Sequence, residues 1–373
     1  MKSATLALGV AALGLSMASP AWAVHFDITR LVSDGAVPAK TIDPDLVNPW
    51  GVATSATSPF WVADNGTGVS TLYNTAGAKL GLTVTIPGGA PSAPTGMVFN
   101  SAAGANAFSV GGAKSAFIFD SEDGIISAWA PSSGTNAAVA VISPIDAIYK
   151  GLAIGDDAGQ ARLYAADFHN GAVEIYDDTF TKTGVLGADP TLASGYAPFN
   201  VQVLNGELYV TYAKQDAAGE DEVAGAGLGF VDVFNLDGTF NRRIASEGDA
   251  VNAPWGLAIA PSSFGEFAGS LLVGNFGDGT ISAFDSTSGD YLGKLLGAHG
   301  QPLAIDGLWA LIRGNGARGG DLDKIYFTAG LNDEADGLFG ALSLVPEPAA
   351  WLLMLTGFGL TGALLRRRRA AAA

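Results

Sequence analysis

Residues 48–53 read Asn-Pro-Trp-Gly-Val-Ala and residues 253–258 read Ala-Pro-Trp-Gly-Leu-Ala. Four further segments vary the same phrase: Ala93-Pro-Thr-Gly-Met-Val, Ile148-Tyr-Lys-Gly-Leu-Ala, Ala197-Pro-Phe-Asn-Val-Gln and Ile305-Asp-Gly-Leu-Trp-Ala. Measured on Gly51, Gly96, Gly151, Asn200, Gly256 and Gly307, the intervals are 45, 55, 49, 56 and 51 residues. A repeat of this length is one blade of a propeller, a unit that buries its faces only by stacking on its neighbours.

A second phrase follows the first within most repeats. It reads FWVADNGTGVSTLY over 60–73, FIFDSEDGIISAW over 117–129, LYAADFHNGAVEIY over 163–176 and LLVGNFGDGTISAF over 271–284. Each is a short apolar run, a turn rich in Asp, Asn and Gly, and an alternating run, which together predict a β-hairpin. The fourth and sixth repeats, Leu208-Tyr-Val-Thr-Tyr and Ile325-Tyr-Phe-Thr-Ala-Gly, keep the first strand and alter the turn. The expected fold is therefore all-β, a six-bladed β-propeller over residues 24–344. The sixth repeat runs short of strands, whereas Phe26-Asp-Ile-Thr-Arg-Leu-Val precedes the first repeat and has strand character. The N-terminal strand is predicted to become the outermost strand of the last blade and so to close the ring.

The strand–Asp–turn–strand phrase resembles the NHL group of propellers, without the arginine often found late in that turn. Tyr212-Ala-Lys-Gln-Asp, Asp221-Glu-Val-Ala-Gly, Gly229-Phe-Val-Asp-Val-Phe, Pro254-Trp-Gly-Leu-Ala and Gly337-Leu-Phe-Gly-Ala further resemble an uncharacterised bacterial family of about this length. That resemblance implies the fold and an address, not a reaction.

The address is written at the two ends. Lys2, an apolar run from Leu6 to Met17, and Ala21-Trp22-Ala23 predict a secretory signal peptide over 1–23, a substrate of the Sec export machinery. Residues 345–369 contain Pro346-Glu347-Pro348, a charge-free segment over 349–365 and the cluster Arg366, Arg367, Arg368 and Arg369, with four alanines as the tail 370–373. The segment has the minimum length for a transmembrane helix, and the arginines would hold its end in the cytoplasm. The three-part order resembles a PEP-CTERM sorting signal. The resemblance implies recognition by an exosortase in a Gram-negative bacterium, transient tethering to the inner membrane, and release to the cell surface or to the extracellular polymeric substance. Contact with the membrane is expected only through this segment before processing.

The whole chain carries a net charge of −17. Without Lys2, the four tail arginines and Glu347, 14 basic residues face 35 acidic ones. Such a balance opposes nucleic acid and favours cations or basic partners. The absence of cysteine excludes disulfides, thiolate metal sites and a cysteine nucleophile. No serine nucleophile elbow, zinc helix or phosphate loop is present.

In a propeller, the loops leading into the inner strands and the turns between second and third strands emerge on one face. This expectation gathers Asn48, Asn200, Asn252 and Asp306 with Asp64, Asn65, Asp120, Asp167, His169 and Asn275 around the channel mouth. Asp64, Asp167, Asn200 and Asp306 form the candidate metal set, because Ca²⁺ prefers carboxylate and amide oxygens. The arrangement resembles in outline the metal mouth of gluconolactonase-type propellers. The alternative is that these residues cap turns. Asn332 to Gly337 begins like an EF-hand loop but has Ser343 where a bidentate Glu is needed, so it is not one. The insertion Ala218 to Gly227 is either a surface loop or a lid, and Trp50, Trp255 and Trp309 are expected to pack between blades or to stack sugars. No catalytic residue is assigned. The leading expectation is a non-enzymatic binding or matrix protein, with extracellular polysaccharide as a partner; the rival is a Ca-type hydrolase or lactonase at the mouth.

Overall fold

The computed structural model describes residues 24–345, which fold into six antiparallel sheets arranged as blades around one axis. The predicted signal peptide and sorting tail lie outside the described residues. Among the described residues no helix is long and apolar enough to cross a membrane. Each blade runs from an inner strand at the axis outward. The inner strands are Pro49–Ala53, Pro94–Phe99, Tyr149–Asp157, Tyr196–Leu204, Pro254–Ile259 and Leu308–Arg313. Each touches the inner strands on either side, and the sixth returns to the first.

The hairpins form where the alternation predicts them. In blade 1, Phe60–Asp64 pairs with Val69–Tyr73 in the register Phe60↔Tyr73 to Asp64↔Val69, and the turn reverses through Gly68 at φ +71°. A left-handed residue there costs glycine nothing, which is why the turn phrase ends on Gly. The side chains on the two faces of each sheet pack into the neighbouring blades, so six apolar clusters sit between blades and a seventh on the axis. Trp61, Leu72, Phe117 and Phe119 join blades 1 and 2. Phe60, Tyr73, Tyr326 and Phe339 join blades 6 and 1.

The ring closes as predicted. The N-terminal strand His25–Ser33 pairs antiparallel with Asp336–Val345, from His25↔Val345 to Ser33↔Leu338, and becomes the fourth strand of blade 6. Thr41–Ile42 adds a two-residue parallel edge outside it. Leu31 and Val32 are buried against blade 1, so the strand ties the last blade to the first by packing as well as by its ladder. Inner strands run from the mouth to the far face, and third strands do likewise. His25 and Val345 therefore both lie at the far face, opposite the mouth.

One repeat is placed differently from the expectation. In blade 1 the ladder pairs Val52 with Val62, and in blade 6 it pairs Leu311 with Phe327. The partner of Gly51 in the repeat is thus Ala310, not Gly307, and the partner of Trp50 is Trp309. Gly307 instead sits in the turn before the strand at φ +59°. At the true position five repeats carry Gly or Ala and the fourth carries Asn200; a Cβ on Gly51, Gly96, Gly151 or Gly256 would strike Thr95, Leu152, Asn200 or Trp309 of the next inner strand. The inner strands converge on the axis, and these glycines allow their backbones to approach.

Candidate functional site

The residue before each of these small positions forms a layer around the axis: Trp50, Thr95, Lys150, Phe199, Trp255 and Trp309. Trp50 stacks on Trp309 with ring centroids 3.5 Å apart and an interplanar angle of 20°. Phe276 stacks on the other side of Trp309 at 4.1 Å. Trp255 stands edge-on to both indoles, at 6.2 and 5.8 Å. Phe199 and Phe168 complete the cluster. The three tryptophans therefore lie on the axis and plug the channel, instead of packing between blades. They are 0 to 4% exposed, which leaves no free indole face for a sugar at the mouth.

Lys150 is the one cation in this layer. Its side chain is 1% exposed, and its Nζ lies 5.3 Å from the centroid of the Trp50 ring and 5.4 Å from that of Phe168. Around the ammonium stand Glu122 Oε1 at 3.1 Å, Asp221 Oδ1 at 3.3 Å and Glu222 Oε2 at 3.9 Å. Glu334 reaches the same place from blade 6, where its Oε2 accepts a 2.6 Å hydrogen bond from Asn48 Nδ2. Asn48 Oδ1 accepts from Trp309 Nε1, and Asn65 Nδ2 donates to Glu122 Oε2. An interlocked polar layer thus covers the aromatic plug, and it holds four carboxylates against one ammonium.

The electrostatics follow from burial. Removal from water pushes the Lys150 ammonium down, but the attraction of Glu122, Glu222 and Asp221 outweighs it and holds the group above the ordinary lysine range. Burial pushes Glu222 up to about 7, with Lys150 pulling the other way. Glu334 is also raised, by burial against the opposing hydrogen bond from Asn48. Asn332, Asp333 and Glu334 all adopt left-handed backbone, at φ 54°, 51° and 66°. In place of an EF-hand loop, this segment is a tight left-handed turn anchored by Asp306 Oδ2, which accepts from the Asn332 amide, and by Asp336, which accepts from Asn332 Nδ2.

The sequence-predicted residues do not form one site. Asn48 and Asn65 belong to the mouth. Asp64, Asp120, Asp167 and Asn275 are buried beneath it and serve the blades. Asp64 accepts from the Thr71 amide and hydroxyl, Asp120 from the Thr95 hydroxyl, Asp167 from Asn170 and Asn275 donates to Thr280 and Ser282. Asn200 spans two blades, donating to the Trp255 carbonyl, while Asn252 accepts from the Gly225 amide. Asp306 and His169 are exposed, and His169 Nδ1 lies 3.2 Å from the Gly219 carbonyl oxygen. Among the described residues no three His, Asp or Glu side chains stand together as metal ligands. Asp64, Asp167 and Asp306 therefore do not converge: Asp64 and Asp167 bond within their own hairpins, and Asp306 bonds the Asn332 amide. Burial raises Asp64 and Asp167 and pushes Asp120 up to about 7.

Lys150, Glu122, Glu222 and Glu334 were not among the predicted site residues. Lys150 had a signal: it is the one charged residue at a repeat position held elsewhere by Trp50, Thr95, Phe199, Trp255 and Trp309. The carboxylates had none, since each comes from a different turn or insertion. The insertion Ala218 to Gly227 does reach the mouth, since it delivers Asp221 and Glu222 to Lys150.

No protein-family model matches the chain. Comparison with curated proteins finds the uncharacterized protein R648 of Acanthamoeba polyphaga mimivirus, 35% identical over 331 residues that cover 84% of this chain and 79% of the relative. The chain belongs to the family of R648. The uncharacterized protein L690 of the same virus is 34% identical over 346 residues, covering 86% of this chain and 85% of that protein. These relatives are viral, where the sequence resemblance implied a bacterial family. Among solved structures, virginiamycin B lyase from Staphylococcus aureus superposes with a TM-score of 0.53 at 12% identity, covering 86% of this chain and all of the lyase. A streptogramin B lyase superposes with a TM-score of 0.50 at 9% identity, covering 86% of this chain and 98% of that one. At these identities the likeness shows the propeller fold alone.

Proposed function

We propose that this chain is an exported, non-enzymatic binding propeller that presents its acidic channel mouth to a positively charged partner at the cell surface or in the extracellular matrix. The observation that carries the reading is the convergence of Glu122, Asp221 and Glu222 on the single ammonium of Lys150, with Glu334 beside them on Asn48, which leaves the mouth with excess negative charge. Three consecutive left-handed residues hold Glu334 there, at a cost of roughly 1–2 kcal/mol for each. Strain of this kind persists where a position is over-determined by its surroundings, and it clusters at functional sites.

Delivery completes the proposal. The signal peptide hands the chain to the Sec machinery, and the tail 345–369 is read by an exosortase and removed. The described body ends at the far face, so a tethered protein turns its mouth away from the membrane. Ca²⁺ enters as a bridge between this acidic surface and acidic polysaccharide, without a dedicated protein site. The hydrolase reading has less support, since Asp64, Asp167, Asn200 and Asp306 bond separately to Thr71, Asn170, Val201 and Asn332 and no acidic or histidine cluster suited to a metal stands among the described residues.

Calorimetric titration of the exported protein with spermidine, and separately with CaCl₂, tests the reading at low ionic strength. The native protein is expected to give a saturable heat with spermidine. The variant combining Glu122→Gln with Glu334→Gln is expected to bind at least about tenfold more weakly, the loss of roughly 1.4 kcal/mol that two partly exposed ion pairs supply. Equal affinity in both proteins would remove the mouth as the binding site.

A further inference from the structure

The aromatic plug closes the channel from the mouth side and leaves a blind cavity open to the far face. Its volume is about 280 Å³. The inner strands of blades 1, 2, 3, 4 and 6 form the walls, and Trp255 and Asn200 lie at the inner end. No ionisable side chain lines it, in a protein whose net charge is −17. The polar side chains of the lining are Thr54, Ser101, Asn200 and Gln202, set among Val, Leu, Ile, Met and Phe. Each inner strand is the edge strand of its sheet, so the wall also presents backbone N–H and C=O groups that no neighbouring strand of the blade takes up.

We infer that this far-face cavity is a binding site for an uncharged, hydroxyl- or amide-bearing small molecule about the size of one hexose ring. The chemistry of the lining sets each part of that description. An ion entering the cavity would shed its water with no opposite charge to meet it, so a charged ligand is rejected. A purely apolar ligand would strand the edge amides and carbonyls and the Gln202 side chain without partners. A neutral molecule with apolar faces and hydrogen-bonding groups satisfies both. The volume lies at the small end of the roughly 300–1,000 Å³ of ligand pockets and suits about a dozen non-hydrogen atoms. The site is independent of the mouth, since the indole layer of Trp50, Trp255 and Trp309 separates the two.

Ligand-observed NMR on the exported protein provides the test, with three matched probe sets. These are neutral methyl glucoside, N-acetylglucosamine and myo-inositol; cationic glucosamine; and anionic glucuronate. At least one neutral probe is expected to bind with a Kd of millimolar or below, and each charged probe at least tenfold more weakly. Gln202→Trp, which fills the cavity from a half-exposed position, is expected to abolish that binding without lowering the melting temperature. Gln202→Glu, which puts a charge in the wall, is expected to weaken it at least tenfold. Glu334→Gln at the mouth should leave it unchanged, which separates this site from the acidic mouth. The inference is overturned if no neutral probe binds, if charged probes bind as tightly, or if binding survives Gln202→Trp.

Discussion

Replacing Lys150 by Met tests the centre of the mouth. The substitution keeps an unbranched chain between the rings of Trp50 and Phe168 but removes the ammonium that Glu122 and Glu222 face. Breaking a buried pair by deleting one partner costs about 3–5 kcal/mol, because the remaining charge stays out of water. Unfolding entropy near 60 °C is about 2.1 cal/mol/K per residue, so the body of some 320 residues loses about 1 °C per 0.7 kcal/mol, and the expected drop in melting temperature is about 4–7 °C. The sign of the pH dependence follows from Glu222, whose folded pKa of about 7 exceeds its ordinary 4.5. Stability from a raised carboxyl is complete below its unfolded pKa and is lost as pH rises through the folded one. At pH 5 Glu222 is already neutral in the native protein and the lysine is missed less. At pH 8.5 the variant must either bury an unpaired carboxylate or hold a proton against the solvent. Thermal unfolding followed by circular dichroism should therefore show a gap between native and variant that widens from pH 5 to pH 8.5, and Glu222→Gln should narrow it. A drop below about 1 °C at pH 8.5, or a gap independent of pH, would refute the reasoning.

Three further outcomes are expected. Asp120, raised from 3.8 to about 7 by burial, penalises the folded state by about 4 kcal/mol once ionised; urea unfolding of Asp120→Asn should gain most of this at pH 8.5 and almost none at pH 4. Deleting residues 24–33 removes the fourth strand of blade 6 and bares the edge of Asp336–Val345, so size-exclusion chromatography should show aggregates in place of a monomer-sized peak. The mass of the protein secreted from exosortase-competent cells should lack Arg366 to Arg369, and a product that retains them would make residues 349–365 an anchor.

Much of the fold was legible in the chain, because each repeat must satisfy the same local chemistry. A strand that meets its neighbour at the axis needs a small residue such as Gly51 or Gly256, and a tight hairpin needs a left-handed glycine such as Gly68. The sixth repeat was misaligned by three residues, since Ala310 fills the small position there and Gly307, in the turn before it, imitates the motif. The site was less legible. Asp64, Asp120 and Asp167 carry the residue types of a metal site, and only the register shows that each is drawn inward to a hydroxyl or amide of its own blade or the next.

By itself, then, the sequence determined what depends on period and composition: the number of blades, the strand that closes them, the acidic surface and the small residues at the axis. The tertiary structure alone decided which side chains meet. Glu122, Glu222 and Glu334 are separated by 100 residues or more, come from turns that share no motif, and gather around one lysine only because the ring brings four blades to a common mouth. Periodic signals report how a segment packs on its neighbours in the repeat. A site on the axis is a property of the closed ring, where the breaks in the repeat, Lys150 among the aromatics, are brought face to face.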